Sequence, residues 1–168
     1  MEFLVEKEKE LKQQLQALQE NNLLSIYCMG ESEKERSVQI RKDIFAKQLK
    51  VLKDLNIEKA LIGYEPVWSI GVNGTPAESG YVEESFEAIK SVLTEFGLAL
   101  KNFPLCYGGS VNIDNAKELA SLDNCNGITC ISWKYHCSTC CKCFFGSFNS
   151  IFSWYSVRKI KYSCSNKH

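Results

Sequence analysis

Apolar residues fall at positions 4, 11, 15 and 18 of the opening segment, among strong helix formers rich in Glu, Lys and Gln. That spacing predicts an amphipathic helix over 2–20, closed by Asn21-Asn22. Residues 23–29 read L-L-S-I-Y-C-M, an apolar run of strand length ended by Gly30-Glu31. A polar loop, S-E-K-E-R, leads to a second helix over about 37–55, with Ile40, Ile44, Phe45, Leu49 and Leu52 on one side. The run at 60–64 predicts a strand buried on both faces. Pro66, Gly71, Gly74, Pro76 and Gly80 then mark a loop, and helical spacing resumes over 81–96. Residues 102–107, N-F-P-L-C-Y, predict a third strand, stopped by Gly108-Gly109-Ser110. A short helix opens at Val111-Asn112, with Asn112 as its cap, and residues 126–131 predict a last strand.

A helix, then strand and helix three times, then a strand, argues for a parallel sheet with covering helices. Two architectures fit: an open doubly wound sheet, and part of a closed (β/α)8 barrel. Neither a G-x-x-x-x-G-K-[ST] loop nor a G-x-G-x-x-G turn is present, which weighs against the nucleotide-binding version of the first. At 168 residues, 45% hydrophobic and 24% charged, the chain has the composition of a globular domain with a real core. No apolar run nears the ~20 residues that span a bilayer. The N-terminus, M-E-F-L-V-E-K-E-K-E, is acidic where a secretory leader is basic and then apolar. The expectation is a cytoplasmic protein with no membrane or nucleic-acid partner, whose Cys28 and Cys106 are reduced core thiols.

Two places carry chemistry. Glu65 stands at the carboxyl end of the 60–64 strand, and Pro66 pins the backbone behind it. A carboxylate on a rigid strand end, beside a glycine-rich loop, suits a general base under a lid; a surface Glu in an ordinary connection is the competing reading. Gly108-Gly109-Ser110 lies between a strand and a helix, where backbone N–H groups can seat a phosphate and the Ser110 hydroxyl can add to them. A plain tight turn is the alternative there. Gly71 supplies a further amide in the loop. Taken together, these groups suit proton abstraction from a small phosphorylated substrate, with the loop excluding water and keeping an enediolate from losing its phosphate.

Y-E-P-V-W-S-I-G at 64–71 and Y-G-G-S-V at 107–111 resemble the two signature segments of the triosephosphate isomerase family. C-M-G-E at 28–31 is similar to that family's C-[IV]-G-E after its fifth strand, and the three segments keep family order and spacing. The resemblance runs to about residue 128. It implies an α/β fold, part of a TIM barrel lacking the first four strands. It implies aldose–ketose isomerisation of a triose phosphate through an enediol, in glycolysis and gluconeogenesis. Glu65 would be the base, Gly71 a loop amide to the phosphate, and Ser110 a phosphate contact beside Gly108 and Gly109. The substrate would be a small phosphorylated sugar, no cofactor or metal is implied, and the family's homodimer is the expected assembly.

The sequence also departs from the family. The Asn-x-Lys after strand one and the His after strand four have no counterpart, and the only histidines are His136 and His168. Thr129-Cys130-Ile131-Ser132 stands where a second glycine pair is expected, and the loop V-N-G-T-P-A-E-S-G-Y differs from the commonest family form. That loop suits a divergent branch, some of whose members isomerise tetrulose phosphates. A catalytically dead fragment is the reading from another class.

Charge and composition change sharply after residue 123. Residues 1–123 hold 14 basic and all 20 acidic residues, a net of −6, whereas 124–168 hold six basic residues, no Ala or Leu, and seven of the nine Cys. His136-Cys137 and Cys140 to Cys143 offer C-x-x-C spacing for zinc, but a second spaced pair is missing. Translation of an AT-rich gene out of frame accounts for the whole shift, and is the reading adopted. The expected organisation is therefore an isomerase half at 1–128 and a frameshifted or disordered tail at 129–168, not expected to supply the barrel's missing strands.

Overall fold

A computed structural model describes residues 2–71, 74–128 and 158–161 of the chain. In chain order these form α1 (Glu2–Glu20), β1 (Ser25–Met29), α2 (Val38–Asp54), β2 (Leu61–Tyr64), α3 (Ser79–Glu95), β3 (Leu105–Tyr107), α4 (Ala116–Ala120), β4 (Gly127–Ile128) and β5 (Arg158–Lys161). Short 3-10 turns at Glu33–Glu35, Val67–Ser69 and Leu100–Asn102 punctuate the connections.

The first three helices end by one device. Asn22, Asn56 and Gly97 take left-handed φ values of 53°, 49° and 74°. After each, an apolar residue donates its N–H back five positions: Leu23 to Leu18, Ile57 to Leu52 and Leu98 to Leu93, at 2.8–2.9 Å. This is the Schellman stop, which satisfies orphan carbonyls and turns the chain back. Only Gly, and less readily Asn, enters that backbone region cheaply. The same stop thus serves the returns from α1, α2 and α3, whereas α4 ends at Ser121 in an ordinary right-handed turn.

All strand pairs are parallel, and the sheet order is β4-β3-β2-β1-β5. Strands β1 to β4 therefore lie side by side in chain order, with no reversal between them. Their helices share one face: Leu11 and Leu15 of α1, Phe45, Leu49 and Leu52 of α2, Val82, Phe86 and Ile89 of α3, and Leu119 of α4 form one core cluster. Tyr27, Met29, Ile62, Tyr64, Leu105, Tyr107 and Ile128 meet them from the strands. Strand alternation then turns Ile26, Cys28, Leu61, Gly63, Cys106 and Gly127 to the other face. Ladder register aligns Cys28, Gly63, Cys106 and Gly127 across it. Winding in one direction with helices on one side is barrel topology; a doubly wound sheet reverses order and carries helices on both faces. The fold is a partial (β/α)8 barrel.

Several boundaries differ from the sequence pattern. Residues 102–104 are not strand, because a 3-10 turn ends at Asn102 and Pro104 cannot donate to the ladder. Ile40 is 46% exposed, while the buried line of α2 runs through Arg41, Phe45, Gln48, Leu49 and Leu52. Asn112 accepts from the Asp114 and Asn115 amides at 3.0 Å, capping a turn that becomes helix only at Ala116. Within the tail, 158–161 pair with β1, so one tail segment does occupy a sheet edge. The zinc-spaced residues, Thr129 to Ser132 and the rest of the tail lie outside the described residues.

One close approach positions the site. A Cβ at Gly30 would sit 2.1 Å from the Glu65 carbonyl oxygen and 2.9 Å from the Pro66 nitrogen. Gln48 clamps Gly30 from α2: its Oε1 accepts from the Gly30 amide at 3.1 Å, and its Nε2 donates to the Gly30 carbonyl at 2.9 Å. Gly80, by contrast, has open space around it. We expect Gly30→Ala to destabilise the chain by at least ~1–3 kcal/mol, as overpacking does. Gly80→Ala should be neutral or stabilising by about 0.5 kcal/mol. Urea denaturation of both variants checks this, and equal midpoints would contradict it.

Candidate active site

The carboxyl ends of the parallel strands share one edge, and backbone bonds stitch them there. The Glu65 amide donates to Met29 O at 2.7 Å, Val67 to Glu31 O at 2.9 Å, and Gly108 to Tyr64 O at 2.8 Å. Glu31, Glu65 and the Gly108 turn are thus held along one rim. Glu65 is only 4% exposed, which fixes its backbone and limits its side chain.

The turn after β3 is knitted to the start of the loop after β2. Ser69, fully buried, exchanges a hydroxyl bond with Tyr107 Oη at 2.9 Å and accepts from the Ser110 amide at 3.2 Å. The Ser110 hydroxyl donates to Ser69 O at 2.6 Å. A Cβ at Gly109 would lie 2.2 Å from Tyr107 Oη and 2.6 Å from Ser69 Oγ, so the turn requires glycine for space. Gly71 requires it for conformation, with φ at 90° and no neighbour a Cβ would meet. Gly71, Gly108, Gly109 and Ser110 are therefore brought to the loop that Glu65 opens. In this state both Ser110 donors face Ser69, so a phosphate at this turn would have to replace that partner.

Beneath the loop lies a group that motif spacing alone did not single out as a site. The Glu31 carboxylate has no solvent exposure and accepts from Trp68 Nε1 at 2.9 Å, Tyr81 Oη at 2.8 Å and Tyr64 Oη at 3.1 Å. Burial, and then the Glu31 charge, push Tyr64 well above the ordinary phenol range, and the same causes raise Tyr81. Both phenols thus remain protonated donors at neutral pH. The signal in the sequence was indirect: Gln48 and Arg41 are polar residues on the apolar line of α2, and each reaches into this rim region.

Burial raises the Cys106 thiol to about 12, so it is a packed core group and not a nucleophile. Among the described residues no group of His, Cys, Asp and Glu is arranged to hold a metal, and no helix is long and apolar enough to cross a membrane. A cleft of about 470 Å³ between the loop's helix-side end and α4 is lined by Glu78 and Glu118. Those charges repel an anion from the cleft.

Comparison with known proteins agrees with this geometry. The family model described as Triosephosphate isomerase matches residues 2–135. The triosephosphate isomerase of Mesomycoplasma hyopneumoniae is 37% identical over 127 residues, covering 75% of this chain and 50% of that protein. The triosephosphate isomerase of Francisella tularensis subsp. mediasiatica is 34% identical over 130 residues, covering 74% and 51%. The crystal structure of triosephosphate isomerase from Bartonella henselae superposes with a TM-score of 0.56 at 30% identity, covering 70% of this chain and 48% of that one. The chain spans about half the length of the curated relatives it matches. On its strand order, its rim motifs and these matches, the chain belongs to the triosephosphate isomerase family.

Proposed function

We propose that this chain carries the base-bearing half of an isomerase that interconverts dihydroxyacetone phosphate and glyceraldehyde 3-phosphate, a step of glycolysis and gluconeogenesis. The observation that supports it most is the buried Glu65 carboxyl group at the β2 rim, with the Gly108–Ser110 turn tied to the loop that follows it. Glu65 takes the proton from the carbon next to the carbonyl. The electron pair of that C–H bond forms the enediolate double bond, and the carbonyl oxygen takes up the charge. The proton of the neighbouring hydroxyl passes to that charged oxygen, the oxygen it leaves becomes the new carbonyl, and Glu65 returns its proton to the neighbouring carbon, which completes the isomerisation. The amides of Gly71 and the Gly108–Ser110 turn hold the phosphate and keep it in the plane where elimination is disfavoured.

The developing oxyanion needs donors that residues 1–128 lack, since the family's Lys and His have no counterpart there. One such donor is worth about 3–4 kcal/mol, or a factor of about 10²–10³ in rate. We therefore assign carbonyl polarisation to the half of the relatives that this chain does not match. The reaction takes place in the cytoplasm, and the protein works as a homodimer. A tetrulose phosphate is the second substrate to test, on the ground that the loop at 72–81 departs from the commonest family form.

Two outcomes are expected in a coupled assay with glyceraldehyde 3-phosphate. The chain alone should turn over at least ~10²-fold more slowly than the chain mixed with the unmatched half of the Mesomycoplasma hyopneumoniae relative. Within the mixture, Glu65→Asp should lower kcat about 10²-fold, because one methylene withdraws the carboxylate by about 1 Å. Full activity in the Glu65→Asp mixture, or no turnover in any mixture, would contradict the reading.

A further inference from the structure

The loop leaving β2 has two roots, and one carboxylate oxygen holds both. Trp68, on the strand side, donates its indole N–H to Glu31 Oε1 at 2.9 Å. Tyr81, in the first turn of α3 on the helix side, donates its hydroxyl to the same Oε1 at 2.8 Å. The two rings meet edge to face, with centroids 5.4 Å apart and planes at 78°.

Two cations hold this pair. The Arg36 guanidinium carbon lies 4.0 Å from the centre of a Trp68 ring and 5.2 Å from that of Tyr81. Arg41, whose side chain is 1% exposed, lies 4.2 Å from the Tyr81 ring centre. It donates to Ser85 Oγ and to Glu84 Oε2, each at 3.1 Å, and both acceptors are on α3. Burial works against the Arg41 charge, but Tyr81 and Glu84 outweigh it and the guanidinium stays firmly protonated. Among the described residues no ion pair is formed by Glu31, and the ring of the phenol that donates to it lies against both guanidinium groups. Simple filling of space does not require that arrangement: a phenylalanine would pack the ring and offer the same face to both cations.

We propose that Tyr81 is a positioning residue whose hydroxyl ties the helix-side root of the loop to the Glu31 oxygen that holds Trp68 at the strand-side root. The separation of the two roots is then set by one acceptor atom, and with it the path of the chain from Glu65 through Gly71. The proposal rests on the isomerase reading only for its meaning in catalysis, since the tie itself is a property of the folded chain.

Tyr81→Phe tests it, read by amide hydrogen exchange of the full chain without substrate. The reporting amides are Ser69, bonded to Pro66 O, and Thr75, bonded to Trp68 O. They should exchange about tenfold faster than in the parent, the change expected from losing one hydrogen bond to a buried charge. Amides of β1, β2 and β3 should keep their protection. Parental exchange at Ser69 and Thr75, an equal rise across the whole molecule, or no protection of those two amides in the parent would each overturn the assignment. Failure of the isomerase reading leaves this measurement untouched, because no turnover enters it.

Discussion

Between the carboxyl ends of β1 and β2 the two backbones run too close for any side chain at position 30, and the site depends on that approach. With Gly30 there, the Glu65 amide reaches Met29 O and the Val67 amide reaches Glu31 O. The first bond fixes where the Glu65 side chain starts. The second draws Glu31 under the loop, where its carboxylate gathers Trp68, Tyr81 and Tyr64. Gln48 holds the Gly30 peptide from both sides, and its own carbonyl accepts the Tyr27 hydroxyl at 2.5 Å. Each such bond adds only about 1 kcal/mol net, but leaving any of these buried groups unpaired costs more. Their value to function is positional, since a misplacement of about 1 Å at a reacting group can cost about 10²-fold.

Much of this was legible in the chain. The period of 3.6 in α1 to α3, and the apolar runs at β1 and β2, named those elements within two residues of their ends. Glu65, Gly71 and the Gly108–Ser110 turn stood out because glycine, proline and a lone carboxylate interrupt apolar runs at strand ends. What stayed hidden depended on side chains meeting across the fold. The apolar pattern put Ile40 on the core side of α2, yet Arg41 and Gln48 take that face, held by bonds from Arg41 to Ser85 and Glu84 and between Gln48 and the Gly30 peptide. The role of Tyr81 depends on a partner 50 residues earlier, which helical spacing over 81–96 does not reveal. Strand order is likewise a tertiary fact: nothing in periodicity separates a barrel segment from a doubly wound sheet.

The chemistry divides as the chain does. On the proposed reading, residues 1–128 supply a base, an anion seat and the loop between them, all hung on one rim of a parallel sheet. Their net negative charge makes the backbone amides of the glycine turns, not a basic surface, the natural hosts for a phosphate. Strand β5 adds a different element, lying parallel to β1 at the sheet edge opposite β4. A partner strand approaching β1 on that side meets an edge already paired.

The claim that Glu65 abstracts the substrate proton is tested most directly by solvent deuterium incorporation. Dihydroxyacetone phosphate is incubated in heavy water with the chain and the unmatched half of a relative, and the carbon-bound protons are followed by proton NMR. Our account predicts deuterium at the carbon next to the carbonyl with the parent chain, and none above the uncatalysed background with Glu65→Gln. Equal incorporation by both chains would contradict it.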